Sequence, residues 1–452
     1  MTDTAQIDST DQVIAELDDW LSSNWDPDLT VGAWWERLGL AGWSAPTLPA
    51  NAYGRGLSRN DAVRVAQEID RFGALGAPAG LGLLLAAPTV ATHGTQEQID
   101  TFVRDIVTGQ KSWCQLFSEP SAGSDLAGLQ TRAIRDGDEW IVNGQKVWTS
   151  GGQHANLGML LARTNPEVPK HQGITYFAIE MIQSGVDIRP LKEMTGRALF
   201  NEVFMTDARV ANDALIGGEN NGWAVANTTL ANERAGLGSG GGSGAGGAAL
   251  PGTVGGALDG RAGDFASVKS GKKSNGSAKS GKGDGGDAAM VRALAGGTKL
   301  LVDLAKSNGT AVDPKVRQGL AQLYTWGELG RFNGLRLKAA KSSGSDIPGM
   351  PNISKLSMSH IMRLSRDLGL QISGAAGMLH GYNQKDREAV AAATGNPLVG
   401  FVTEMAMFAQ APSIYGGTDQ VQRNIIGERV LGLPKEPNND RTTPFSELPK
   451  NV

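Results

Sequence analysis

Three short segments gather side chains able to hold a small molecule. The first is Phe117-Ser118-Glu119-Pro120-Ser121-Ala122-Gly123-Ser124-Asp125, hydroxyls among small residues. The second, Lys146-Val147-Trp148-Thr149-Ser150-Gly151-Gly152, places two hydroxyls after a large aromatic ring. The third runs Ile414-Tyr415-Gly416-Gly417-Thr418-Asp419-Gln420-Val421-Gln422-Arg423. Apart from these, Ala231-Asn232-Glu233-Arg234 offers a carboxylate, a group that can take a proton as general base. Metal chemistry is not indicated. His93, His154, His171, His360 and His380 have no ligand spacing, and Cys114 is the single cysteine.

The elements that must position these residues can be read from period and composition. With 452 residues the chain is too long for one ordinary core, and two or three domains are expected. A net charge of −4 gives no nucleic-acid footprint. One cysteine rules out an internal disulfide framework and fits a reducing cytoplasm. The acidic, polar start has neither the basic nor the apolar region of a secretory signal. No apolar run approaches the roughly 20 residues of a membrane helix.

Residues 1–112 read as a helical domain, with Asn60-Asp61 expected to cap a helix over 62–72 and Thr95 one over 96–107. Over 113–222 the period becomes two, predicting an antiparallel, barrel-like β domain with strands at 157–162, 174–179 and 202–205. Asn143-Gly144, between two strand-like runs, predicts a hairpin turn. Residues 223–452 return to helical period and predict a four-helix bundle, with helical pattern resuming from 288. A Gly/Ser/Lys-rich stretch, 238–286, reads as a mobile, dispensable insertion. Gly236-Leu237-Gly238-Ser239-Gly240-Gly241 satisfies G-x-G-x-x-G, but no strand precedes it, so a dinucleotide fold is not inferred. The fold class expected is α+β.

In their order and intervals, the three segments closely resemble the acyl-CoA dehydrogenases. Gly42-Trp43-Ser44-Ala45-Pro46-Thr47 and Phe200-Asn201-Glu202-Val203-Phe204 add to the resemblance, which spans most of the chain. It implies an FAD-dependent enzyme that introduces a double bond beside an acyl-CoA thioester. It also implies oligomers, homo- or heterotetrameric, and electrons passed to an electron-transfer flavoprotein. Phe117 and Ser118 match positions that reach the flavin, and Gly123 and Ser124 match positions at its pyrophosphate or the substrate's pantetheine. Trp148 matches the residue packing on the ring, and Thr149 and Ser150 those near N5. Gln318, Gln371, Ile372, Gly374, Thr418 and Gln420 match FAD contacts, several made across a subunit boundary. The usual R-x-x-F-G string is replaced here by Lys306-Ser307-Asn308-Gly309-Thr310.

In many relatives the catalytic carboxylate follows the tyrosine of the third segment. Here that position is Gly416. A subset carries its base at the position matching Glu233, with Arg234, Tyr415 and Gly416 then beside the substrate. Burial there is expected to raise the Glu233 pKa. Two other readings stay open: a non-catalytic partner of a heteromeric dehydrogenase, and a flavin oxidase or monooxygenase. The acyl group, whether straight, branched, aromatic or sterol side chain, is not specified by the sequence.

Overall fold

The computed structural model describes residues 2–238, 258–266 and 297–449. The chain begins with helices α1 (Thr2–Asn24), α2 (Val31–Leu40) and α3 (Arg59–Phe72). Val31, Trp34, Trp35 and Leu38 recur at three- and four-residue steps on α2, and all are buried. The Trp34 and Trp35 indoles donate to the carbonyls of Leu75 and Gly76, each at 2.7 Å, so large rings are buried without a lost donor. Ser58, not Asn60-Asp61, caps α3: its side chain accepts from Asp61 N, and the helix starts earlier than expected. Thr95 does cap the helical stretch that starts at Gln96, in a reciprocal box with Gln98.

Eight strands follow: β1 (Trp113–Leu116), β2 (Arg132–Asp136), β3 (Glu139–Lys146), β4 (Leu157–Arg163), β5 (Ile174–Glu180), β6 (Val186–Leu191), β7 (Phe200–Ala211) and β8 (Leu215–Ile216). They form one sheet in the order β6-β7-β3-β2-β4-β5-β8, with β1 on β4. Pairing is antiparallel except for β1 on β4 and a single bridge between β2 and β4, so the sheet is mixed. Every residue of β4 is buried, as a strand covered on both faces requires.

The expected Asn143-Gly144 turn is not a turn. The chain reverses at Gly137-Asp138, where Asp136 pairs Glu139 and Gly137 has φ 63°. Asn143 and Gly144 lie inside β3, at a bulge in its pairing with β7. Asn143 exchanges hydrogen bonds with Asp207 across the strands, both at 3.0 Å. A Cβ on Gly144 would stand 2.4 Å from Thr131 Oγ1 and 2.7 Å from Thr131 Cα, so glycine is required for close approach. A neighbouring strand has overridden a local turn signal.

After the sheet come α4 (Gly222–Gly238), α5 (Gly297–Ser307), α6 (Pro314–Ser342), α7 (Met350–Ser373), α8 (Gln384–Thr394), α9 (Leu398–Phe408) and α10 (Asp419–Ile425). Leu301, Leu304, Val316, Leu323, Leu368, Ile372 and Val402 make a bundle core separate from the core of the sheet. Among the described residues, no helix is long and apolar enough to cross a membrane. From α10 the chain returns to the sheet, where Phe445 N donates to Val168 O and the ring of Phe445 lies under the Arg163 guanidinium.

The inserted stretch corrects the sequence reading most. Residues 258–266 pack on the N-terminal helices. Ala262 is fully buried in the tryptophan-rich core there, and Arg261 Nε donates to Asp28 at 2.6 Å. The remainder of the Gly/Ser/Lys-rich stretch, and the helical pattern expected from 288 to 296, lie outside the described residues.

The strand assignment is open to direct test. Inserting two residues between Gly137 and Asp138 should leave the melting temperature nearly unchanged. The same insertion between Asn143 and Gly144 should cost on the order of 3 kcal/mol or more, since several ladder bonds of about 1 kcal/mol each are lost with the register. Equal tolerance in thermal denaturation would return the turn to Asn143-Gly144.

Candidate active site

The first and second segments meet at the end of β3. Val147 N donates to Ser118 O at 2.9 Å, and Lys146 Nζ donates to Phe117 O at 3.1 Å and to Glu119 Oε1 at 2.8 Å. The ion pair is sealed: the Lys146 side chain is 0% exposed and that of Glu119 5%. The Glu119 carboxylate also accepts from Gln130 N at 2.7 Å and Thr131 N at 3.0 Å. Burial alone would raise the Glu119 carboxyl, but the ammonium and these amides outweigh it and hold the group below its ordinary range.

Beyond Lys146 the backbone turns out of the sheet. Trp148 takes φ 61°, rare for a bulky residue, and is 60% exposed, with its ring edge-on to Phe200. Such a conformation needs support, and Thr149 supplies it: Thr149 N donates to Asn201 O, and Asn201 N and Nδ2 both donate to Thr149 O. The Thr149 hydroxyl is buried and has no partner, and neither has Asn201 Oδ1. Strained backbone and an unanswered buried donor beside an exposed indole are marks of a ligand site. Phe117 is buried edge-on to Tyr176, Ser118 and Ser150 are half-buried, and Gly123 and Ser124 are exposed. Next to them Asp125 pairs with Lys170, which also pairs with Asp440 of the returning tail.

Glu233 is half-buried on α4, and its Oε2 lies 3.5 Å from Gln115 Nε2. Gln115 is on β1, two residues before Phe117, so the carboxylate stands beside the first segment. The helix is held from below by a polar layer: Thr229 and Thr89 hydroxyls meet at 2.9 Å, and His93 Nε2 meets Thr228 Oγ1 at 2.7 Å. Arg234 belongs to the same helix.

The third segment is fastened to α7, against which α4 also packs. Asp419 accepts from Lys355 at 3.1 Å and Arg363 at 2.9 Å, and Ser359 Oγ donates to Pro412 O at 2.9 Å. Gln422 Nε2 donates to Gly416 O at 2.8 Å. Gly416 has φ 62°, where a side chain would be strained. Tyr415 is largely buried, which pushes its phenol up to about 12 and keeps it protonated. The Thr418 hydroxyl caps α10, and Gln420 is exposed. Gln318 is exposed on α6, Gln371 is exposed and Ile372 buried at the end of α7, and Gly374 terminates that helix with φ 55°. Among the described residues, none of these bundle residues hydrogen-bonds to the first or second segment. Gln115, Asn201, and the pairing of Lys146 with Glu119 and of Asp419 with Lys355 and Arg363 were not foreseen, since each depends on contacts between distant elements.

Comparison with known proteins gives the family. The acyl-CoA dehydrogenase N-terminal, middle and C-terminal domains match residues 8–110, 114–208 and 288–431. Acyl-CoA dehydrogenase IpdE1 of Mycobacterium tuberculosis is 33% identical over 404 residues, covering 89% of this chain and 88% of that protein. The chain belongs to the acyl-CoA dehydrogenase family. Within that family, FadE34 of Mycobacterium tuberculosis is 48% identical over 203 residues, which are 45% of this chain and 28% of that protein. Among solved structures, the ChsE4–ChsE5 complex of Mycobacterium tuberculosis has a TM-score of 0.64 at 25% identity, covering 95% of this chain and 98% of that one. A structure described as the Tcur3481–Tcur3483 steroid acyl-CoA dehydrogenase has the same fold, with a TM-score of 0.64 at 24% identity over 95% of this chain and 98% of that one.

This acyl-CoA dehydrogenase is an oxidoreductase by family, and the family implies FAD. The residues present fit such a group: an exposed indole, a buried hydroxyl lacking a partner, and open space at Gly123 where a Cβ would meet nothing within 4 Å. Removing Lys146 would leave the Glu119 carboxylate buried without its counter-charge. Lys146→Met should therefore cost about 3–5 kcal/mol in stability, whereas Lys146→Met with Glu119→Gln should recover much of it. Urea denaturation of the two variants measures the difference; equal losses would mean the pair is not the unit of stability.

Proposed function

We propose that this acyl-CoA dehydrogenase uses FAD to introduce the α,β double bond of an acyl-CoA thioester, with Glu233 as the base. The observation that carries this reading is the Glu233 carboxylate beside Gln115 and the first segment, while Gly416, the other place for a base, has a left-handed backbone. A glutamate at that φ would cost roughly 1–2 kcal/mol in backbone strain. Tyr415 stays protonated and does not compete for the role.

FAD, when bound, supplies the acceptor for the hydride leaving the β-carbon. Trp148 would hold its ring, with Phe117, Ser118, Thr149 and Ser150 near the ring and Gly123 and Ser124 toward the diphosphate. Gln318, Gln371, Gly374, Thr418 and Gln420 would serve the far end of FAD, and their place on the bundle suits contact with a neighbouring subunit, whereas the Ile372 side chain is buried in the bundle core and could contribute only through its backbone. The family resemblance would put Ser124, Arg234, Tyr415 and Gly416 at the thioester. Glu233 takes the α-proton, which a carboxylate does only when the carbonyl beside it is polarised. Electrons pass on to an electron-transfer flavoprotein.

Gly416 leaves space beside the α-carbon, which favours acyl groups with a branch or ring there. One or two such groups are worth about 1–3 kcal/mol, so preference rather than exclusion is expected. The steroid dehydrogenase sharing this fold is in keeping with a ring-bearing substrate. A second reading, a subunit of a heteromeric dehydrogenase, is favoured by the ChsE4–ChsE5 likeness. It is also favoured at the expected R-x-x-F-G, where Asn308 instead donates to Ile372 O at 2.7 Å.

Glu233→Gln, nearly isosteric, should retain FAD and assembly but lose substrate-driven flavin bleaching by several powers of ten. Stopped-flow mixing with acyl-CoA under anaerobic conditions measures it. Bleaching at the wild-type rate would exclude Glu233. A second comparison sets kcat/KM for straight-chain, α-methyl and ring-bearing acyl-CoAs of similar size side by side. The branched or ring-bearing substrate should lead by about tenfold; a lead for the straight chain would remove the role given to Gly416.

A further inference from the structure

Residues 258–266 meet the N-terminal helices as a bound peptide meets a receptor. The start of α2 has amides that no turn of the helix can satisfy. Val31 N donates to Gly260 O and Gly32 N to Leu258 O, both at 2.8 Å, while Thr30 fills a third place with its own side chain. In return Ala262 N donates to Leu29 O at 2.7 Å and Gly263 N to Pro27 O at 2.9 Å, and Arg261 bridges to Thr30 as a short antiparallel pair. The contact is therefore a reciprocal backbone ladder, the mode by which an extended peptide is captured.

Side chains set its specificity. Ala262 is fully buried in the cluster that contains Trp34, with Leu258 and Phe265 packed at its margin. A Cβ on Gly263 would lie 2.7 Å from Pro27 Cβ and 2.9 Å from Pro27 O, so only glycine fits. Arg261 donates to Asp28 at 2.6 Å. Arg261, Ala262 and Gly263 are thus each read by a different physical device, while Gly260 offers only its carbonyl. In the sequence this motif stands within a Gly/Ser/Lys-rich stretch, and the stretch falls between the family's middle and C-terminal domain matches.

We propose that Pro27–Gly32 with the surrounding tryptophans is a self-contained peptide-binding site for the Arg261-Ala262-Gly263 motif. The motif docks as a separable unit and is replaceable by the same peptide supplied free. The site recognises a basic residue followed by two small ones, presented by extended backbone to a helix N-terminus beside a carboxylate. Being part of the same chain, the segment faces the site at a raised effective concentration, which a free peptide must exceed to compete.

The experiment uses the full-length protein. Gly263→Val should unseat the segment and lower the melting temperature. A synthetic peptide of residues 258–266 should then bind that variant saturably, change its tryptophan fluorescence and restore its melting temperature. Wild type should need roughly a hundredfold more peptide, because its own segment competes. A control peptide carrying Gly263→Val should not bind. Should the Gly263→Val protein fail to fold, Asp28→Arg tests the same site at an exposed position: it should bind the peptide bearing Arg261→Glu in preference to the native one by about two- to fivefold at low salt, the size expected of an exposed ion pair. Absence of peptide binding to a folded variant, equal binding to variant and wild type, or an unchanged preference in Asp28→Arg would each overturn the proposal.

Discussion

Lys146 and Glu119 form a charge pair without access to water, and the geometry of the active site is built around it. Taking two charges out of water is costly, and a pair is tolerated only where the remaining donors and acceptors are also answered. Here they are: the carboxylate receives two backbone amides and the ammonium a carbonyl. Because the partners come from segments 27 residues apart in sequence, satisfying the charge fixes the first segment against the second. Trp148 then leaves the sheet at a set point, in a backbone conformation that a looser support would not hold.

The same principle recurs at the other two approaches to the site. Asp419, buried between Lys355 and Arg363, fastens the third segment to α7. Lys170, buried between Asp125 and Asp440, ties the Gly123–Asp125 turn to the returning tail. Exposed ion pairs such as Arg209 with Asp136 contribute little by comparison, since water and salt screen them. Glu233 is positioned through its helix, which is seated on a layer of threonines and a histidine and brings Oε2 to 3.5 Å from the Gln115 amide.

The segment at residues 258–266 links parts of the chain that the family resemblance keeps separate. It leaves the end of the Glu233 helix in sequence and lands on the first helices of the protein. Composition marked the whole stretch as unable to bury apolar surface, and most of its residues are of that kind. Four small or apolar positions sufficed to seat it, because the receiving surface supplied backbone donors and a preformed tryptophan core.

By itself the sequence determined the order of helices, sheet and helices, the three segments, and the family. It also marked Glu233 as the carboxylate to consider once Gly416 was seen. These are properties of local pattern: hydrophobic period, capping residues such as Thr95, and strings of fixed spacing. Only the tertiary structure decided that Asn143-Gly144 is a bulge rather than a turn, since β7 lies alongside and Thr131 presses on Gly144. It alone joined Lys146 to Glu119 and seated Ala262 in a distant core. A turn signal, a charge or a glycine-rich run states what the chain permits locally; which permitted state is stable depends on the surface that folding brings against it.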